Sequence, residues 1–455
     1  MRVATSAFTK SVRMATHLTS QIERPMKATV EQPVDHDHSA VPKLLAVSFS
    51  YPPKEEPRAI QVSRLLKHLT ASTVLVCEGE QQAANIEPNG LGDMESFLQR
   101  TLRVPFFTSP GRALFNRLSN LVYLPVWSRT PDEFGPWKKA VVKAVERLMR
   151  TSYQPDVLVT FAFPLVDNII GLELKQRLKL PWLAHFSDPW VDNPFRSDDR
   201  LTKALNARLE QKVIEGADTL VFTSRETADL IMEKYRPDLR SKVRIVPHAY
   251  ESQLFSDVPN STGDRLIIRY MGDLYLNRTP KPLFRALEIL SSTDPELLER
   301  FRFEIVGDVH GLNLEQMGLS QLPKGLVVFR PRVNYCESLS MMRSAAGLMV
   351  IDAPVAKDAE SVFLPSKLIE YVGADRPIIG LTPPGTAARL ISRLGGWVAD
   401  PDAEEQVVKV VREFLSFVRG RRVDVVESWS PSEVREEFEA KAVARRFQNV
   451  LTELV

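Results

Sequence analysis

The run Val362-Phe363-Leu364-Pro365-Ser366-Lys367-Leu368-Ile369-Glu370-Tyr371 places a cation, a hydroxyl and a carboxylate at the start of one helix. Pro365 pre-sets a helical entry and Ser366 can cap it, so unpaired backbone N–H groups and the positive end of the helix dipole face whatever lies in front. A diphosphate suits that position. Glu370 follows Ser366 by four residues and Lys367 by three, about one turn further on the same face, where its carboxylate can accept hydrogen bonds from both hydroxyls of a ribose. An ordinary amphipathic helix, with Leu368, Ile369 and Tyr371 in the core, is the other reading of the same residues.

Further candidates sit where apolar runs end. After Leu266 to Met271 comes Gly272-Asp273-Leu274-Tyr275-Leu276-Asn277-Arg278-Thr279-Pro280-Lys281. Gly272 permits close backbone approach, Arg278 offers a planar fork for phosphate oxygens, and Lys281 is a second cation. Val333, closing Phe329-Arg330-Pro331-Arg332-Val333, can edge a nucleotide pocket through its backbone. In the first half, His185-Phe186-Ser187-Asp188-Pro189-Trp190 brings an imidazole and a carboxylate to a strand end, where they can position an acceptor hydroxyl or bind a sugar. Ser48 to Arg58 leads into a helix whose Arg58 and Arg64 can meet an anionic acceptor or simply be solvated.

These segments must be held by something, and the pattern of the chain says what. Short apolar runs alternate with helical stretches from Lys43 to Val246 and again from Leu266 to Leu381, which reads as two parallel sheets, each covered by helices. The 455 residues, 44% of them apolar, suffice for two cores. The division expected is a disordered tail over 1–42, a first Rossmann-like domain over 43–246, a linker over 247–264, a second such domain over 265–428, and a long amphipathic helix over 429–455. Two doubly wound sheets facing each other leave a deep cleft beyond the carboxyl ends of their strands, and the candidates above all lie there.

Composition excludes several classes. With 59 Lys+Arg against 57 Asp+Glu the net charge is +2, not that of a dedicated nucleic-acid binder. Two distant cysteines, Cys77 and Cys336, give neither a disulfide framework nor a metal-ligand spacing and fit a reducing compartment such as the cytoplasm. Asp35-His36-Asp37-His38 carries metal-ligand types, but no rigid element holds them, so no metal is expected there. No apolar stretch is long enough to span a membrane. Leu98 to Arg150, however, interleaves ten basic residues with Phe106, Phe107, Phe115, Tyr123, Trp127 and Trp137. It fits either an anionic membrane face or a solvated helix surface with its aromatics in the core.

Taken in order, Tyr51-Pro52-Pro53 with Arg58, His185-Phe186-Ser187-Asp188-Pro189-Trp190, Tyr270-Met271-Gly272-Asp273-Leu274-Tyr275 with Arg278, and Leu364-Pro365-Ser366-Lys367-Leu368-Ile369-Glu370-Tyr371 with Pro377 resemble the family-4 glycosyltransferases of the GT-B fold, in particular their bacterial cell-surface-polysaccharide branch. The resemblance covers roughly Lys43 to Val455. It implies transfer of a hexosyl unit from a nucleotide diphosphate sugar to a glycan or lipid-linked acceptor, with retention at the anomeric carbon and no obligatory metal or other cofactor. It assigns Arg278 and Lys367 to the donor diphosphate, Glu370 to the donor ribose, and the final helix to the first domain, on which it folds back. Asp188 would orient the acceptor or the donor sugar.

Three departures stand out. Val362 occupies the place of a second glutamate eight residues before Glu370, Lys54-Glu55-Glu56-Pro57 replaces a glycine-rich loop, and Thr279 stands where a lysine often follows the arginine. A non-catalytic scaffold subunit and a sugar-nucleotide epimerase are the alternatives that these departures leave open.

Overall fold

The structure, a computed structural model, describes residues 41–455 except 55, 80–94, 107–130, 195, 197, 256–264, 276, 357–358 and 422–427. Nearly all of the expected tail and half of the expected linker therefore lie outside the described residues, as do Phe107, Arg112, Phe115, Arg117, Tyr123, Trp127 and Arg129 of the basic, aromatic stretch.

The first sheet contains β1 (Lys43–Val47), β2 (Ser72–Glu78), β3 (Arg100–Val104), β4 (Val157–Phe161), β5 (Trp182–Phe186), β6 (Thr219–Phe222) and β7 (Val243–Ile245), all parallel in the order β3-β2-β1-β4-β5-β6-β7. The second contains β8 (Leu266–Met271), β10 (Phe301–Val306), β12 (Val327–Arg330), β13 (Gly347–Ile351), β14 (Ile378–Leu381) and β15 (Trp397–Ala399), ordered β12-β10-β8-β13-β14-β15 and also parallel. A short parallel pair, β9 (Leu274–Tyr275) with β11 (Val309–His310), flanks it. The architecture is α/β, with two doubly wound sheets. Central strands are buried throughout and largely apolar because helices cover both faces: every residue of β4, β5, β6, β13 and β14 is buried.

Strand order reverses between β1 and β4 in one sheet and between β8 and β13 in the other. The loops leaving these four strands flank the crevices where open sheets bind ligands. They carry Phe49 to Glu56, Phe163 to Leu165, Gly272 to Arg278, and Asp352.

Besides the two-residue strands β9 and β11, one strand of each large sheet escapes the apolar-run reading. Edge strand β3 carries Arg100 and Arg103 and looks like basic surface, yet Arg103 is buried, donating from Nη2 to the Pro52 carbonyl at 2.7 Å and to Glu95. Strand β15 is only three residues long. In the same basic stretch Trp137 is in the core, its indole N–H donating to the Val104 carbonyl at 2.8 Å, and Phe106 packs edge-on to Phe49. Among the described aromatics there, Trp137 is a core residue and Phe106 and Phe134 pack half-buried against the core.

The C-terminal segment is two helices, Ser432–Glu436 and Ala440–Leu454, rather than the single long one expected. The break has a cause. The Phe438 carbonyl accepts from the Tyr250 N–H and the Ala440 N–H donates to the Tyr250 carbonyl, both at 2.9 Å, which pulls the backbone out of its helical ladder. Glu439 then caps the second helix by accepting from the Lys441 N–H at 2.7 Å. That helix lays Val443, Ala444, Phe447, Val450 and Leu451 against Val62, Leu65 and Leu66 of helix Pro57–Lys67 and Phe161 of β4. Each large apolar side chain so buried contributes roughly 1.5–3 kcal/mol.

Candidate active site

A cleft of about 970 Å³ opens between the two sheets, lined by Arg58, Asp188 and His248 from the first half and by Gly272, Arg278, Val333, Ser366 and Lys367 from the second, among others. Four residues singled out from the sequence are not on its surface; one of them, Arg64, is buried against Glu370. His185 is buried behind Arg58, Glu370 is buried one turn behind Lys367, and Lys281 is exposed at the first position of helix Lys281–Thr293.

On the second-half wall, β8 delivers Tyr270 and Gly272 and helix Ser366–Ala374 delivers Lys367. Pro365 occupies the N-cap position and Ser366 the first helical one, with no side-chain cap, so Ser366 does not close the helix end as expected. The Lys367 ammonium donates to the Tyr270 hydroxyl at 2.7 Å and lies 4.1 Å above that ring. Gly272 sits at φ +131°, which excludes most side chains, and a Cβ there would stand 2.8 Å from Lys367 Nζ and displace that ammonium. Gly307 backs it, since a Cβ on Gly307 would fall 2.5 Å from the Gly272 carbonyl oxygen.

Arg278 turns into the same space. Its Nη2 donates to Asp352 Oδ1 at 3.1 Å and its Nη1 to the Tyr275 hydroxyl at 3.3 Å, while its Nε is buried with no partner. Asp352, at the end of β13, also accepts from the Thr382 hydroxyl at 3.2 Å. Burial, and then the neighbouring Arg278, bring the Lys367 ammonium down to about 7. An anion placed between these two cations would reverse that effect.

Asp273, Asp308 and His310 bring potential metal-ligand atoms within 4.8 Å of one another at the edge of this wall. Arg332 lies against both carboxylates, bonding Asp273 and approaching Asp308 to 3.6 Å, and supplies the compensating positive charge itself.

The first-half wall is built differently. Arg58 Nη2 lies 3.0 Å from His185 Nδ1; a guanidinium only donates, so Nδ1 is the acceptor and the imidazole proton sits on Nε2. Burial, then Arg58 and His248, hold His185 well below its ordinary pKa. His248 falls to about 3 by burial and by Arg58 and Arg64. Asp188 is pushed up by burial and pulled back by Arg58 and the Ser187 hydroxyl. Behind them Asp167 accepts from the Phe49 N–H at 2.9 Å and is driven well above the carboxylate range by burial. Asp132 receives the Leu165 and Val166 N–H groups at 2.6 and 3.1 Å, at the start of helix Val166–Leu178, and burial lifts it to about 6.

The loop that replaces a glycine-rich turn braces itself. The Ser50 hydroxyl donates to Glu56 at 2.8 Å, and Lys54 pairs with Glu78 at 2.8 Å.

Sequence reading missed Asp132, His248, Tyr270 and Asp352. Asp352 carried a usable signal, the first polar residue after an apolar strand. The others acquire their roles only through contacts far away in the chain.

A family model described as a glycosyl transferase 4-like domain matches residues 57–248. The chain carries a glycosyl transferase 4-like domain. Over 188 residues it is 23% identical to a D-inositol 3-phosphate glycosyltransferase of Stackebrandtia nassauensis, an alignment that covers 36% of this chain and 40% of that protein. Solved structures resemble it along nearly its whole length. Anabaena Alr3699/HepE in complex with UDP and glucose has a TM-score of 0.61 at 12% identity, over 91% of this chain and 100% of that one. The lipopolysaccharide outer core galactosyltransferase WaaB, in its apo form, has 0.57 at 14%, over 91% and 100%. An E. coli trehalose-6-phosphate structure bound with UDP-2-fluoro glucose has 0.57 at 13%, over 91% and 99%. Together the two facing sheets and these neighbours are the GT-B fold.

Proposed function

We propose that this protein is a retaining glycosyltransferase that moves a hexosyl unit from a nucleotide diphosphate sugar to a glycan or lipid-linked acceptor, in surface polysaccharide synthesis. The observation that carries the reading is the convergence of Lys367 and Arg278 on one space at the strand-order reversal of the second sheet, in front of a helix N-terminus. Two cations and aligned backbone N–H groups offset the charge that builds on a departing diphosphate as its bond to the anomeric carbon breaks. The backbones of Gly272, Val333 and Ser366 border that space, and Glu370 serves the ribose. The acceptor hydroxyl, held by Asp188 and Arg58 with His185 behind them, bonds to the anomeric carbon on the face the phosphate leaves, and its proton passes to a phosphate oxygen. No side-chain base is needed. Lys281 has no part in this scheme.

UDP is the first donor class to try, because structural neighbours are solved with UDP or a UDP sugar. A thermal-shift titration against UDP, GDP, ADP and their common sugar conjugates tests the reading, since a ligand that binds the native state raises the melting temperature. A saturable shift with one nucleotide, lost in Lys367→Ala, is expected. No shift with any of them would favour the scaffold alternative, and conversion of a sugar nucleotide without any acceptor would favour an epimerase. Cytoplasmic residence at an anionic membrane face belongs to the same proposal and rests on the basic composition of Leu98 to Arg150. Among the described residues no helix is long and apolar enough to cross a membrane. Sedimentation with anionic liposomes at low salt, released at high salt, is expected; absence of binding removes the membrane from the scheme.

A further inference from the structure

Arg64 and Glu370 come from different halves of the molecule and form a buried ion pair. Arg64 lies on helix Pro57–Lys67, six residues beyond Arg58, and Glu370 lies on helix Ser366–Ala374, one turn behind Lys367. Arg64 Nη1 donates to Glu370 Oε1 at 3.1 Å and to the Ala249 carbonyl, and its Nη2 donates to the Tyr335 hydroxyl. That hydroxyl in turn donates to the same Glu370 Oε1 at 3.0 Å. Both charged side chains are under one-tenth exposed. Burial works against the Arg64 charge, but Glu370, Tyr335 and Glu251 hold it protonated.

The carboxylate is therefore used unevenly. Oε1 accepts two hydrogen bonds, while Oε2 is buried with no partner at all. Native interiors rarely leave a carboxylate oxygen in that condition, and this one lies one helical turn behind Ser366 and Lys367, which do line the cleft. The guanidinium fork, fixed at three oxygens from three segments, dictates which oxygen is consumed and how the carboxylate plane is turned.

We propose that Arg64 is a positioning residue for Glu370: it occupies Oε1 so that Oε2 alone receives the nucleotide, and only one of the two ribose hydroxyls is recognised by this carboxylate. A side chain of the first half thus sets what the second half reads. The inference rests on the donor site assigned above and narrows it, because an unencumbered glutamate would accept from both hydroxyls.

The test is calorimetric titration of the full chain with UDP, GDP and ADP and with the 2′-deoxy and 3′-deoxy counterparts of whichever binds. In the native chain one deoxy analogue is expected to bind about tenfold more weakly and the other almost normally. In Arg64→Gln that preference falls to within about twofold, as it does in Glu370→Gln, and the double variant loses no more than Glu370→Gln alone. A general loss of packing would weaken all three ligands together and leave the preference intact. If Arg64→Gln does not fold, Tyr335→Phe, which removes only the bridging hydroxyl, must lower the same preference. Equal penalties for both analogues in the native chain, or an unchanged preference in the folded variants, would overturn the inference while leaving the donor site standing. Failure of all three nucleotides to bind the native chain would overturn both.

Discussion

The two walls of the cleft use charge in opposite ways. On the second-half wall Lys367 has only a phenol for a partner and Arg278 already pairs with Asp352, so two cations stand against one carboxylate and positive charge is left over at the surface of the cleft. On the first-half wall Arg58, whose Nε is, like that of Arg278, buried without a partner, has the Asp188 carboxylate nearby, donates to one imidazole and lies near another, and both imidazoles are held neutral. Little charge is left to offer. One wall is prepared for an anion, and the other for a partner recognised by shape and by individual hydrogen bonds.

The sharpest way to break this contrast is a pair of substitutions, one on each wall. Arg278→Ala is expected to lower kcat by about 10²- to 10³-fold, because a leaving diphosphate loses charge compensation in the transition state. Asp188→Asn is expected to lower transfer by on the order of 10²-fold or less, through misplacement of the reacting groups, with nucleotide affinity unchanged. Initial rates with the preferred donor, together with nucleotide Kd by calorimetry, separate the two. If Asp188→Asn weakens nucleotide binding as much as Arg278→Ala does, the walls do not divide the work.

A smaller effect sharpens the picture of the cationic wall. The Lys367 ammonium stands at about 7 in the ligand-free protein, and a bound diphosphate raises it. Below pH 7 the group is already protonated and affinity is flat. Above pH 7 binding must take up a proton, so affinity falls as pH rises, by up to about tenfold per unit until the bound-state value is reached. Calorimetry at pH 8 in buffers of different ionisation enthalpy should report uptake approaching one proton, absent in Lys367→Met. A pH-independent Kd between 7 and 9 would show that Lys367 is charged throughout.

Central strands were legible in the sequence because a parallel strand buried on both faces is a mostly apolar run; β5, β8, β10 and β13 begin and end where the run does, although His185, Arg269, Arg302 and Glu304 interrupt three of them. Strand β3 was not, since an edge strand tolerates arginines and its Arg103 finds partners in a loop some fifty residues earlier. The same distinction governs the site. Gly272, Arg278 and Lys367 reach the cleft by local rules, a strand end and a helix start. Arg64 has the local signature of a solvated helix arginine, and only the approach of Glu370, 306 positions away, buries it. The C-terminal break was hidden for the same reason, because Tyr250 imposes it from a distance and the helical periodicity runs on across it.

That break has a mechanical consequence. Going forward along the chain, Ala249 belongs to the core of the first half and Tyr250 to that of the second; returning, Phe438 belongs to the second and Ala440 to the first. Both crossings occur at one level and are stitched together through the Tyr250 backbone. Two tethers joined at a single point resist sliding of one half past the other more than swinging, and any such swing must also part the Arg64–Glu370 pair that bridges the halves.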